Sequence, residues 1–138
     1  MTWALIGAAV GVLTIVTARV IRGERWLYSL GLLVLPGLYT CFALRTGEAA
    51  VVVKEMFYGV PYVVAGLVFA FVSVRRSAVL VGALWLLHGL YDLVHSRLFM
   101  NPGVPGWYPV FCFVVDAVVG AYLQWLSRRV PDANLREA

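Results

Sequence analysis

Long apolar segments alternate with short polar connections along the whole chain. Five such segments can be drawn, each close to the roughly 20 residues that a helix needs to cross the hydrocarbon core of a bilayer. They cover approximately residues 2–18, 26–44, 51–74, 78–100 and 107–126. Because the hydrocarbon offers no water to bond the backbone, each segment is predicted to be an α-helix. The pattern predicts an all-α, polytopic membrane protein, with one domain over residues 1–138 built as a bundle of five transmembrane helices.

The composition supports a lipid environment. Of the 138 residues, 62% are hydrophobic and only 13% are charged, whereas a soluble domain carries about 25% charged residues. The net charge of +4 does not indicate nucleic-acid binding, because the basic residues stand at the ends of apolar segments. The two cysteines form no paired motif that would indicate a disulfide framework or a zinc finger. The expected partner is the lipid bilayer.

The basic residues predict how the bundle is oriented. Eight of them flank the first connection, the third connection and the C-terminus: Arg19, Arg22, Arg25, Arg75, Arg76, Arg128, Arg129 and Arg136. The other side holds three, which are Arg45, Lys54 and Arg97. Since basic residues beside membrane segments stay in the cytoplasm, we expect the N-terminus outside and the C-terminus inside. Residues 128–138 are then a short cytoplasmic tail, disordered from about residue 131, and the expected location is the plasma membrane.

Four ionisable residues interrupt the last two apolar segments. His88, Asp92 and His95 stand at positions i, i+4 and i+7, so on a helix they share one face within about 60°. Asp116 lies in the following segment, beyond a turn rich in proline and glycine at residues 101–106. Ionisable groups at membrane depth are costly, which makes them candidates for a functional site. We predict that His88, Asp92 and Asp116 form the core of that site.

Further groups are predicted at matching depths. Counted from the helix ends at 1.5 Å per residue, Asp116 lies about as deep as His88, and Cys112 about as deep as Asp92. Glu55 enters from the same side of the membrane, on the third segment. The polar groups therefore form a column from the outer surface to mid-membrane, while the inner half is apolar. A pocket open to the outside is predicted rather than a channel.

Histidine and carboxylate side chains suit a divalent transition metal such as zinc or iron. The candidate ligands are His88, Asp92, His95, Asp116 and Glu55. The two histidines are separated by seven residues, about 10.5 Å along a helix, so they are not expected to share one ion. Without a metal, His88, Asp92 and Asp116 would act as an acid–base group, because a buried carboxylate orients an imidazole and stabilises its charged form.

Several interpretations remain open. The leading one is a metal-assisted or acid–base enzyme that acts on a lipid or another apolar small molecule. A second is a non-enzymatic carrier or binding protein for protons, metal ions or a hydrophobic ligand. A third is an accessory subunit whose polar groups contact a partner or only hold the bundle together. The spacing of Gly7 and Gly11 is typical of close helix contacts, either within one chain or in a homo-oligomer.

The motifs resemble those of an uncharacterised family of small bacterial integral membrane proteins, a domain of unknown function. The resemblance rests on HGLYDLVH at 88–95, NPGVPGWYPVFC at 101–112, and Asp116 within FVVDAVVGAYL. It implies that these residues are the family's polar signature and carries no activity with it. The chain also resembles the emopamil-binding-type sterol isomerases, five-helix proteins with a His-x-x-x-acid pair, although here the pair lies on the fourth segment. That likeness is an analogy of fold.

Overall fold

The structure, a computed structural model, describes residues 1–72 and 74–129, and within these ranges all side chains except those at 25 and 74–76. Helices take up most of the described part of the chain: α1 (Thr2–Val20), α2 (Glu24–Leu44), α3 (Ala49–Ala70), α4 (Val74–Leu98) and α5 (Tyr108–Arg129). No strand occurs in the described ranges. The all-α prediction is confirmed.

All five described helices are long and apolar enough to cross a membrane. Their outward faces carry exposed apolar side chains, for example Leu13 at 62%, Phe57 at 74% and Leu90 at 53% exposure. Soluble proteins rarely present large continuous apolar patches to water. Length, composition and surface together indicate a membrane protein.

The bundle has two ends, which we name after Asn101 and Gly23. The Asn101 end holds the N-terminus, residues 45–48 and residues 99–107, and there Trp3 stacks on Trp107 with ring centroids 4.5 Å apart. The Gly23 end holds residues 21–23, residues 71–72 and the C-terminal end of α5. Between these ends, α5 packs against both α1 and α4, while α2 packs against α3, and both α2 and α3 contact α4.

The contact between α1 and α5 depends on two glycines. A Cβ atom on Gly7 would lie 2.6 Å from the Phe111 carbonyl oxygen, and one on Gly11 would lie 2.9 Å from Val118 Cβ. Both distances are too short for real atoms, so the lack of side chains at these positions allows the helices to meet closely. The small-residue pattern serves a contact inside the chain.

Most of the buried side chains in the half of the bundle toward the Gly23 end are apolar. Trp85 Nε1 donates a 3.0 Å hydrogen bond to the Tyr28 carbonyl oxygen, which joins α4 to α2 there. The surrounding buried cluster includes Ala18, Leu32, Val81, Val119 and Leu123. Among the described residues, the buried carboxyl and imidazole groups lie instead between mid-bundle and the Asn101 end.

Several helix bounds differ from the predicted segments. The third segment is predicted to reach residue 74, but α3 ends at Ala70 and α4 already begins at Val74. At its other end α4 stops at Leu98, and α5 continues to Arg129, so residues 128 and 129 of the predicted tail are helical. Composition marks the hydrocarbon boundary, whereas backbone hydrogen bonds decide where a helix ends. The remainder of the predicted tail, from residue 130, lies outside the described residues.

Candidate metal and acid–base site

Three ionisable side chains meet in the middle of the bundle, and we call them the His88 site: His88, Asp92 and Asp116. His88 Nδ1 lies 2.8 Å from Asp116 Oδ2, the geometry in which an imidazole N–H donates to a carboxylate. The same nitrogen is 3.6 Å from Asp92 Oδ2, beyond a normal hydrogen bond. All three residues are at most 1% exposed. The predicted match in depth between His88 and Asp116 is confirmed by this contact.

Local geometry explains why these groups meet. His88 and Asp92 are one helical turn apart on α4, which puts their side chains on the same face. Next to His88, a Cβ atom on Gly89 would lie only 3.0 Å from Asp116 Cβ. The glycine therefore lets α5 approach α4 closely enough for the Asp116 carboxylate to reach the imidazole.

The His88 site leaves four buried polar atoms without a hydrogen-bond partner among the described residues. They are His88 Nε2, both carboxylate oxygens of Asp92 and Asp116 Oδ1. The hydroxyl groups of Tyr39 and Tyr108 are likewise buried without a hydrogen-bond partner among the described residues. Each unsatisfied buried group costs about 1–3 kcal/mol, and more if it is charged. So many unpartnered polar atoms in one place need an explanation, and a bound ion would provide one.

Aromatic rings surround the His88 imidazole. The Tyr62 ring stands edge-on to it with centroids 5.0 Å apart, and the Tyr91 and Tyr39 rings lie at 5.9 Å and 6.4 Å. The Tyr39 hydroxyl lies near the Asp92 carboxylate but does not form a hydrogen bond of normal geometry with it. These rings keep water away from the site, which strengthens electrostatic interactions inside it.

A second polar cluster, the Glu55 cluster, lies toward the Asn101 end and consists of Glu55, Tyr91, His95 and Asn101. Glu55 Oε1 accepts hydrogen bonds from His95 Nε2 at 2.8 Å and from Asn101 Nδ2 at 2.6 Å. The Tyr91 hydroxyl donates to Glu55 Oε2 at 3.2 Å. Glu55 and His95 are each 2% exposed. Unlike the His88 site, this cluster satisfies its carboxylate with donors from α4 and from the turn that follows it.

The predicted metal ligands therefore divide into two groups. Ligand atoms of His88, Asp92 and Asp116 all lie within 4.8 Å of one another, whereas His95 and Glu55 pair with each other. Tyr39 lies between the two groups, because its ring centroid is 4.5 Å from that of His95 and 6.4 Å from that of His88. This division agrees with the spacing argument that the two histidines do not share one ion.

The space beside His88 is closed to molecules of the size of water, so the pocket open to the outside that the sequence predicts is not open in this conformation. It is bounded by Tyr39, Tyr58, Tyr62 and Tyr91 together with Glu55, and it has no room for a water molecule. In this conformation the site is therefore suited to a bare ion or a proton rather than to an organic ligand.

The two cysteines have different surroundings. Cys112 is buried and packs with Tyr39 and Tyr108, whereas Cys41 is exposed. Both are free thiols. A buried cysteine in such a place most often acts as a small apolar side chain.

Sequence reasoning missed four members of the polar region: Tyr39, Tyr62, Tyr91 and Asn101. Asn101 had a detectable signal, since a polar side chain that begins a tight turn is a common hydrogen-bonding residue. The tyrosines had none, because a tyrosine in an apolar segment is equally typical of the membrane interface.

No family model, curated protein or solved structure matches the chain. The family resemblance therefore stays a prediction, and the function has to be argued from the two clusters themselves.

Proposed function

We propose that the chain binds one divalent transition-metal ion, zinc or iron, within the membrane through His88, Asp92 and Asp116. The observation that carries this proposal is the set of four buried, unpartnered polar atoms on these three residues. Three of the four are carboxylate oxygens, and buried charge has to be paired or coordinated to a metal. A cation at this point would compensate both carboxylates at once.

The spacing of the donor atoms supports a small ion. Ligand atoms at 2.0–2.1 Å from a tetrahedral ion are about 3.3 Å from one another. An ion bound by His88 Nδ1 would take the place of the hydrogen bond to Asp116. This nitrogen is 2.8 Å from Asp116 Oδ2 and 3.6 Å from Asp92 Oδ2, one value below that separation and one above it. All three residues offer ligand atoms within 4.8 Å of one another, so a contraction of these side chains around the ion would complete the site. Imidazole with carboxylate oxygen is a donor set that suits zinc, iron or manganese.

The proposed activity is a metal-assisted or acid–base reaction on a lipid or another apolar small molecule. Three protein ligands would leave a fourth position free, and a water admitted there when the closed space opens would become nucleophilic near neutral pH. A carboxylate oxygen not bound to the ion would accept the proton of that water. In the absence of metal, Asp116 would orient the imidazole and His88 Nε2 would be the base. His88, Asp92 and Asp116 are the proposed catalytic residues in either case.

The second candidate is a binding protein or carrier for protons, metal ions or a hydrophobic ligand. The closed space beside His88 favours it, because no organic substrate fits there without a rearrangement. The apolar cluster around Trp85 and Leu123 disfavours a polar route across the bilayer, since it offers no carboxyl or imidazole group in the Gly23 half of the bundle. A one-sided site supports binding or catalysis over conduction.

We also infer an orientation from the basic residues. The eight-to-three distribution supports the Asn101 end outside the cell and the Gly23 end inside, in the plasma membrane. In that orientation the Glu55 cluster lies between the His88 site and the exterior.

Elemental analysis of protein purified without chelators tests the proposal. We expect about one equivalent of zinc or iron in the wild type and its loss in His88→Ala and Asp92→Asn. His95→Ala is the matched control, because it removes a buried imidazole from the Glu55 cluster only, and it should retain the metal. A wild type that carries no metal and takes up none on addition would leave only the acid–base version.

A further inference from the structure

A cavity of about 310 Å³ opens between α3 and α4 at the Asn101 end. Its lining is apolar and aromatic except for one cation and one phenol: Val53, Lys54, Phe57, Tyr58, Leu98 and Phe99. We call this cavity the α3/α4 mouth. Phe57 and Leu98 are 74% and 47% exposed, so the mouth faces the surrounding lipid.

Tyr58 separates the mouth from the His88 site. Tyr58 lines both the mouth and the closed space, and His88 is another lining residue of the closed space. The Tyr58 ring rests between two others, with its centroid 5.6 Å from that of Phe99 and 5.8 Å from that of Tyr91. At 38% exposure it is only partly held by neighbours. Tyr58 is thus a residue that the two spaces share.

The mouth has a charge as well as a shape. Lys54 Nζ lies 5.7 Å from the centroid of the Phe99 ring, at the end of α3 where the membrane interface is expected. A lysine at that depth extends its ammonium group toward lipid head groups while its stem covers apolar surface. One cation above an apolar cavity complements an amphiphile with an anionic head and a hydrocarbon chain.

We propose that the α3/α4 mouth binds an anionic bilayer lipid, with its head group at Lys54 and its chain along Phe57 and Leu98, and that Tyr58 controls access of the chain to His88. Leu98 and His88 are ten residues apart on α4, which corresponds to about 15 Å. A lipid held in this way would bring the middle of its chain to the level of the His88 site. The idea that this lipid is the substrate rests on the proposed function. Binding of the lipid in the mouth does not depend on a metal ion.

Photo-crosslinking in phosphatidylcholine vesicles tests the proposal. The probes are phosphatidylglycerol and phosphatidylcholine that carry the same diazirine on one acyl chain, and labelled residues are located by mass spectrometry. We expect the mouth residues to be labelled about fivefold more by the anionic probe, the effect of one cationic side chain at a membrane surface. Lys54→Gln should remove this preference and Lys54→Arg should retain it. Equal labelling by both probes in the wild type would overturn the proposed head-group contact.

A second variant tests the role of Tyr58. In Tyr58→Ala, labelling should extend to Tyr62 and Tyr91, which line the closed space beside His88. Labelling that stays confined to the mouth in this variant would contradict the proposed access route. Exposed α1 residues Leu5 and Leu13 give the background for lipid contact, and mouth labelling no stronger than theirs would show general lipid contact only. Metal content, measured on the same samples, separates failure of this inference from failure of the metal site.

Discussion

His88 and Asp116 are 28 positions apart in the sequence, yet His88 Nδ1 and Asp116 Oδ2 lie 2.8 Å apart in the middle of the bundle. The contact ties α4 to α5 at the depth where an unpaired charge is most costly. It also leaves His88 Nε2 and Asp116 Oδ1 without partners among the described residues. The pair therefore holds two helices together and keeps donor atoms free for a ligand.

A double-mutant cycle will measure the strength of this contact. Either His88→Leu or Asp116→Leu alone leaves the other polar group buried without its partner, so the double variant should be less destabilised than the sum of the two single variants. We expect a coupling of about 1–2 kcal/mol, near the upper end for interhelical hydrogen bonds in membranes. The free energy of unfolding in mixed detergent micelles gives the values. His88→Leu combined with Gln124→Leu is the control, and it should be additive, because Gln124 bonds the Val79 carbonyl instead.

The α1–α5 contact gives a second prediction. Gly7→Ala would place a Cβ atom 2.6 Å from the Phe111 carbonyl oxygen, and we expect it to destabilise the bundle by about 1–3 kcal/mol. Gly37→Ala is the matched control, since a Cβ atom there meets nothing within 4 Å, and it should be neutral or slightly stabilising. Thermal unfolding in detergent compares the two. Equal stability of both variants would show that α1 does not depend on this contact.

Much of the fold follows from the sequence because a backbone in lipid has to satisfy its own hydrogen bonds. Each apolar segment has to be a helix that satisfies its own backbone, and all five helices occur close to their predicted positions. The equal depth of His88 and Asp116 was also predictable, since helix rise and a short turn fix it. The helix bounds near residues 70–74 were not, because apolar residues continue across the connection.

The partners of Glu55 could not be predicted in the same way. Depth along α3 is readable from the sequence, but the rotation of α3 about its axis is decided by packing against α2 and α4. That rotation turns Glu55 toward His95 and Asn101 rather than toward Asp92. The tyrosines around His88 depend on the same rotations, so only the structure shows which of them reach the site.

Asn101 gives a third prediction. Its side-chain amide donates to Glu55 Oε1 and to the Tyr39 carbonyl oxygen, while its Oδ1 accepts from the Gly103 N–H. Asn101→Leu removes these bonds and should destabilise the protein by about 1–3 kcal/mol. Asn101→Asp should cost at least as much, because it places a second carboxylate against Glu55. Unfolding measurements will decide, and an aspartate variant as stable as the wild type would contradict the described contacts.

The orientation gives a fourth prediction. A C-terminal fusion to a reporter that is active only in the cytoplasm should be active, and a reporter that needs the exterior should be silent, because most of the basic residues lie on that side. Replacing Arg128 and Arg129 by glutamine is a useful comparison, since it reduces the excess of basic residues on the cytoplasmic side and leaves the apolar segments unchanged. If the reporter that needs the exterior is active on the wild-type C-terminus, the inferred orientation is wrong.

The metal site is the central claim, and X-ray absorption of the zinc-loaded protein tests it most directly. The account predicts one zinc per chain with only nitrogen and oxygen ligands at about 2.0–2.2 Å and the outer-shell signal of a single imidazole. His95→Ala should leave this spectrum unchanged, and His88→Ala should abolish it. A zinc–sulfur distance of about 2.3 Å, or two imidazoles on the ion, would contradict a site made by His88, Asp92 and Asp116.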